Sequence, residues 1–377
     1  MKIIVWICRI IIGSLFVFSG FVKAVDPWGM AYKMEEYFEV FHLTFFVPYS
    51  LWTSVLMNAL EIFLGVFTII GYRMKITSWL LLILMAAFLY MTGYSAITNK
   101  VTDCGCFGDF LKISTWATFY KNVIFIILII PIFLHRNKIQ SIFSGTFNEL
   151  VAALTVIASV GMQYYCIEHL PLLDFRAYKV GNNIREQMSL KIGEKPDSVS
   201  TALMYKDKIS GEEKGYTMAT LPWQDSIWMA NHEFVRQENI VVRKGAEPKI
   251  KDFKVWDDDN IDLTSQVLDS GNLKIWIVAY DINKTDKTGY DKIVKLVNDA
   301  NKEKISIIGL TSTAHDILDP FKHDINLALP FYYADGTVLK TMIRANPGIM
   351  VLDGPKVLAQ YHYNDTPSLE EVKKLIK

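Results

Sequence analysis

The sequence predicts an α-helical membrane bundle followed by a β-rich region and an α/β domain. Three observations lead there. Five apolar runs of roughly 20 residues fall within the first 170 positions, the length a helix needs to cross a bilayer. Beyond residue 170 the composition turns to the mixed charge and polarity of a water-soluble chain. From residue 246 onward, strand-type and helix-type segments alternate, the pattern of a mixed sheet with packed helices. The 377 residues carry zero formal net charge, so nothing favours nucleic acid or a strongly anionic partner. A lipid bilayer is the partner the first half requires.

The expected organisation is a bundle over 1–140, a fifth membrane helix within 141–170, a β-rich spacer or docking region over 171–245, and an α/β domain over 246–377. The spans are placed at 3–22, 51–70, 76–97, 116–134 and 150–166. The first is too long for a signal-peptide core, contains Arg9 and lacks a small-x-small cleavage site, so it is read as an anchor. Lys2, Arg73, Lys75, Arg136 and Lys138 fall on one side, against Lys23, Lys33, Lys100 and Lys112 on the other. The bias puts the amino end in the cytoplasm and the cysteine loop and tail outside, in the periplasm of a bacterial inner-membrane protein.

Between the first two spans, Asp26-Pro27 reads as an N-cap and first helical position. Met30, Ala31, Met34, Tyr37, Phe38 and Phe41 then form an apolar stripe at helical spacing. A helix packed on the bundle is the plain reading; a lid over a lipid-soluble substrate such as a quinone is the sharper one.

Two spans carry charges. Glu61 lies roughly 15 Å from the inner end of the second span, and Arg9 roughly 10 Å from the same face. An unpaired charge at such depth is costly, so an Arg9–Glu61 ion pair with Asn58 one turn away is expected, and Glu61 as a proton carrier is the alternative.

The loop between the third and fourth spans reads Asp103-Cys104-Gly105-Cys106-Phe107-Gly108. A Cys-x-Cys disulfide closes a very small ring that is comparatively easy to reduce, which suits an exchanging pair. A permanent staple is the second reading, and it would constrain little chain. A metal site is the third, and only His42, Cys166 and His169 are at hand in the outer loops as further ligands. Asp103 and Asp109 disfavour the thiolates and so favour the oxidised pair.

Arg9, Gly13, Ser19-Gly20 and Lys23 in the first span, Asn58 and Glu61 in the second, and Asp-Cys-Gly-Cys-Phe-Gly before the fourth resemble the DoxX/MauE family over residues 1–135. The resemblance implies a DoxX-like four-helix bundle in a redox-associated membrane protein, with MauE linked to disulfide formation in an exported dehydrogenase subunit. A fifth span and exported tail resemble a fused form of that family.

In the tail, strands are expected at 200–206, 214–220 and 239–243, with Trp223 and Trp228 as apolar bulk. His232 beside Glu233 reads as a surface pair. Beyond 246 the expected order is an apolar strand at 273–280, a helix at 290–302, a strand at 305–310, a helix at 314–321, strands at 348–352 and 357–363, and a helix from Ser368. This order resembles a thioredoxin-like fold, which implies a cis bond before Pro347 and a surface beside Pro347 that binds extended chain. The stretch 281–287, where that family carries Cys-x-x-Cys, has no cysteine. The domain therefore cannot exchange thiols itself.

Two functions remain. One is a membrane thiol–disulfide component whose Cys104 and Cys106 exchange with an exported protein; a quinone is the membrane carrier such a pair would use, although no residue identifies one. The other is a non-enzymatic scaffold or chaperone with a structural Cys-Gly-Cys loop.

Overall fold

The computed structural model describes residues 2–101, 105–111, 113–243, 245–268 and 272–376. Five of its helices are long and apolar enough to cross a membrane: α1 (Lys2–Val25), α3 (Ser50–Ile70), α4 (Met74–Thr98), α5 (Thr115–Leu134) and α6 (Gly145–Glu168). α2 (Pro27–Val40) lies between the first two, with Pro27 at its start and the Asp26 carboxylate accepting from the Gly29 N–H at 2.9 Å. Its buried stripe of Met30, Ala31, Met34 and Tyr37 packs with Val101, Met57 and Met91, as expected for a helix resting on the bundle.

α1 and α3 pack closely because glycines face each other. A Cβ on Gly65 would lie 2.7 Å from the Gly13 carbonyl oxygen and 2.7 Å from the Val17 nitrogen. Ile12, Phe16, Leu64, Leu81, Met85, Ile129 and Ile132 from α1, α3, α4 and α5 form the bundle core. α3 ends where Gly71 adopts a φ of 74°, the left-handed conformation that closes many helices.

The chain divides into two compact units. Residues 182–253 form one, and the bundle together with residues 254–377 forms the other. In the smaller unit a short α7 (Ile184–Gln187) precedes β1 (Ser198–Asp207), β2 (Glu213–Tyr216), α8 (Ser226–Asn231) and β3 (His232–Arg243), in an antiparallel sheet of order β2-β1-β3. β2 stops four residues before the expected end. A turn begins at Thr217, whose carbonyl accepts from the Leu221 N–H at 2.9 Å. β3 starts earlier than expected, at His232, whose ring stacks on Trp228 with centroids 4.1 Å apart.

After α9 (Thr264–Leu268) come β4 (Leu273–Val278), α10 (Tyr290–Lys302), β5 (Ser306–Thr311), α11 (His315–Asp324), β6 (Phe331–Tyr333), α12 (Gly336–Met342), β7 (Gly348–Asp353), β8 (Lys356–His362) and α13 (Leu369–Lys374). The sheet order is β6-β5-β4-β7-β8, with β6, β5 and β4 parallel and β7 and β8 antiparallel. β4 is buried almost throughout, as the central strand of a sheet covered on both faces must be. The Asn346–Pro347 bond is cis, as expected. β6 and α12 were not anticipated: a three-residue strand has no room for alternation, and α12 holds few strong helix formers.

Candidate functional site at the cysteine loop

Cys104 and Asp103 lie outside the described residues. From Gly105 the loop is defined. Gly105 and Gly108 take φ values of 64° and 50°, which glycine reaches without steric cost, and the Gly108 N–H donates to the Gly105 carbonyl at 3.0 Å. A Cβ on Gly105 would also sit 3.1 Å from Cγ of Lys33 on α2, so the loop runs tight against that helix. Phe107 faces Phe18 with centroids 6.0 Å apart, and Lys121 Nζ sits 4.5 Å from the Phe107 ring centre.

Below the loop, Ser19 Oγ lies 2.9 Å from the Cys106 carbonyl oxygen and 3.0 Å from Glu61 Oε2. The other Glu61 oxygen is in contact with the ammonium of Lys23, and both side chains are buried. A small cavity of about 20 Å³ is bounded by Ser19, Lys23, Glu61, Cys106, Lys121 and Asn122. The cysteine loop is thereby joined, through one hydroxyl, to a buried ion pair.

The expected Arg9–Glu61 pair is not formed. Arg9 donates from Nε to the Thr68 carbonyl at 3.0 Å and from Nη2 to the Ile69 carbonyl at 2.8 Å. These are among the last carbonyls of α3, which have no partner within their own helix, and the guanidinium fork satisfies them. Because α1 and α3 run antiparallel, Arg9 meets the end of α3, while Glu61 meets Ser19 and Lys23 about three turns further along α1. Lys23, expected in an outer loop, belongs to the last turn of α1. Asn58 holds that same turn: its Nδ2 lies 3.2 Å from the Lys23 carbonyl and 3.1 Å from Gln163 Oε1 on α6, and its Oδ1 is buried without a hydrogen-bond partner among the described residues.

Above the loop, the α/β domain reaches down through Arg344, whose side chain is only 5 % exposed. Nε of Arg344 lies 2.9 Å from both oxygens of Asp26, Nη2 donates to Asp109 at 2.9 Å, and Nη1 donates to the Lys340 carbonyl. Burial alone would raise the Asp26 carboxyl; the charge and hydrogen bonds of Arg344 outweigh it and hold the group below the ordinary carboxylate range. Asp109, expected to bear on the cysteines, is thus engaged by a cation. Nearby, Tyr32 on α2 and Tyr280 after β4 share a hydrogen bond of 3.1 Å, and burial raises both phenols above their usual value. Pro347 is buried, Tyr280 bonds to Tyr32 of α2, and Arg344 bonds to Asp26, the N-cap of α2. Between α2, the loop and α12 there remains a cleft of about 550 Å³, lined by Lys33, Glu36, Gly105, Asp109, Lys340 and Arg344 among others.

Sequence reasoning found Cys106, Asn58 and Glu61 but did not connect Ser19, Lys23, Asp26 or Arg344. The available signal for Arg344 was a lone cation in an otherwise apolar stretch, Met342-Ile343-Arg344-Ala345, just before the cis proline.

Five apolar helices, with an α/β domain bonded to Asp109 of the loop between α4 and α5, define a class: a multi-pass membrane protein. More particularly, residues 1–135 match the family model described as methylamine utilisation protein MauE. The chain is also 25 % identical over 133 residues to Protein TlpB of Flavobacterium psychrophilum. That match covers 34 % of this chain and 36 % of that protein, so the two share about a third of their lengths.

Proposed function

We propose that the protein is a membrane component of thiol–disulfide exchange, in which Cys104 and Cys106 trade a disulfide with a cysteine-bearing exported protein. The observation that carries this reading is the placement of the loop around Cys106: Ser19 holds the Cys106 carbonyl from below, and the neighbouring Gly105, Gly108 and Asp109 line a cleft beneath the α/β domain. A pair meant only as a staple needs neither. The match to MauE over residues 1–135 supports it as well.

The α/β domain is assigned a docking role on a thioredoxin-like plan. Its strand order and the cis peptide at Pro347 support that plan, and the absence of cysteine beyond Cys166 denies it chemistry of its own. Electrons pass onward to a carrier in the membrane, with a quinone as the class that fits a lipid phase. The amino end is assigned to the cytoplasm and the α/β domain to the periplasm of an inner membrane.

The second reading, a scaffold with a permanent Cys-Gly-Cys staple, draws on the lack of cysteine in residues 167–377. Acid quenching of living cells, differential alkylation and mass spectrometry separate the two. An exchanging pair is a mixed population that shifts when respiration is blocked, and a Cys106→Ser variant captures a partner as a mixed disulfide. A pair fully oxidised in both conditions, with nothing captured, establishes the staple.

A further inference from the structure

We infer that the end of the bundle where α1 begins carries a binding site for an anionic phospholipid headgroup, built from Lys75, Arg136 and Lys138 beside Trp79 and Phe133. On the orientation proposed above, that end faces the cytoplasmic leaflet.

This end of the protein has cations in excess of the groups that could neutralise them. Residues 62–102 and 110–167 hold a single carboxylate, Glu149, and it is already engaged by the Tyr72 hydroxyl and by Arg73 at 2.9 Å. Lys75 and Lys138 are exposed, and neither makes an ion pair among the described residues. Arg136 donates from Nη1 to the Phe133 carbonyl at 2.7 Å, and its Cζ lies 4.0 Å from the centre of the Phe133 ring. Those contacts hold the guanidinium in place while using few of its five N–H donors.

The corner these cations share is fixed by packing. Trp79 meets Phe133 edge-on with centroids 4.8 Å apart, which joins the start of α4 to the last turn of α5. Lys75 precedes Trp79 by one turn on the same face of α4, and Arg136 follows Phe133 by three residues. The chain beyond α5 is tied down. The Lys138 N–H donates to the His135 carbonyl at 2.8 Å, and the Ile142 N–H reaches back to the Ile70 carbonyl at 2.9 Å.

The apolar half of the site lies alongside. Trp79 is 53 % exposed, and Ile76 and Ile83 on α4, with Ile130 and Leu134 on α5, are exposed as well. An indole at the end of a membrane helix, with cations on one side and bare apolar helix on the other, suits the boundary between headgroups and acyl chains. A phosphodiester there meets positive charge that no carboxylate of the chain neutralises, and its acyl chains cover the exposed helix faces. A zwitterionic headgroup brings its own ammonium and gains less. A bias of cations alone orients a membrane chain. The anchored Arg136 and the exposed indole make a site of it.

The test uses the full-length protein in detergent with equimolar dioleoyl phosphatidylglycerol and dioleoyl phosphatidylcholine, and native mass spectrometry counts the lipids retained. Wild type is expected to keep phosphatidylglycerol in preference. Lys75→Gln, Lys138→Gln and Arg136→Gln should each reduce that preference about fivefold, the effect of one cation at a charged interface. The Lys75 and Lys138 side chains make no bond to the described residues, so their variants keep the test valid if Arg136→Gln does not fold. Lys2→Gln removes a cation of α1 at the same end and should leave most of the preference in place. Equal retention of the two lipids by wild type overturns the site. So does a loss in Lys2→Gln equal to that in Lys75→Gln, which would assign the preference to net charge. Displacement of the retained lipid by equimolar inorganic phosphate overturns it too, since the corner would then be a site for free phosphate.

Discussion

Arg344 is a buried guanidinium that spends its donors on two carboxylates from separate parts of the bundle, Asp26 at the start of α2 and Asp109 in the cysteine loop. Asp26 serves twice, capping α2 through Gly29 and holding the cation. Such an arrangement is worth little over an apolar contact of the same shape, but it is expensive to break on one side, because the remaining charges stay buried without a partner. Arg344→Ala is therefore expected to destabilise the contact between α/β domain and bundle by about 3 kcal/mol. Limited proteolysis and thermal melting in detergent would read this as early release of the α/β domain. Arg344→Lys should recover only part of the loss, since an ammonium cannot reach both carboxylates with a planar fork. A melting point unchanged by Arg344→Ala would mean that the contact rests on other groups.

At the scale of elements, the helices were legible because each requirement is local: a bilayer-length apolar run for the membrane helices, and a cap such as Asp26-Pro27 before α2 or Ser368 before α13. What could not be read was the register between neighbours. Taking the apolar run 3–22 as the whole first helix left Lys23 in a loop, whereas α1 continues to Val25 and brings that lysine against Glu61. Depth measured from the ends of two runs placed Arg9 and Glu61 together, although antiparallel packing sets them about three turns apart. The site shared this fate. Its cysteine and its acid were visible one by one, while the hydroxyl and the cations that link them depend on which faces meet. The register is set by Gly13 and Gly65, where the α1 and α3 backbones approach too closely for a side chain. Gly65→Val is expected to push α1 away and cost roughly 3 kcal/mol, seen as a lower melting point in detergent. An unchanged melting point would count against this close approach.

Across the whole of the larger unit, the α/β domain meets the bundle at two seams that should fail at different acidity. At one, the Asp26 carboxyl is held below its ordinary range, so its contribution is complete above that range and is lost only as pH falls through the lowered value. At the other, the turn after β8 meets the end of α6. His169 Nδ1 lies 2.8 Å from Asp365, and Asn364 Nδ2 donates to the Glu168 carbonyl at 2.7 Å. His362 begins this turn, buried, with Nδ1 accepting from the Asn364 N–H at 3.3 Å, which requires a ring unprotonated at that nitrogen. Burial is the main cause that lowers its pKa from 6.5 to about 4, against the opposing pull of Asp365. Between those values the unfolded chain binds a proton that the folded chain refuses, so stability falls as pH drops through that window and levels off below it. The loss should reach about 2 kcal/mol, allowing for partial solvent access. Melting curves taken from pH 7 to 4 should show the wild-type midpoint falling, while His362→Gln, which keeps an acceptor without a titrating ring, stays flatter. Parallel decline in both proteins would assign the acid sensitivity to other groups. A decline confined to wild type would mean that mild acid loosens the α6 seam while Arg344 still holds the domain over the cysteine loop.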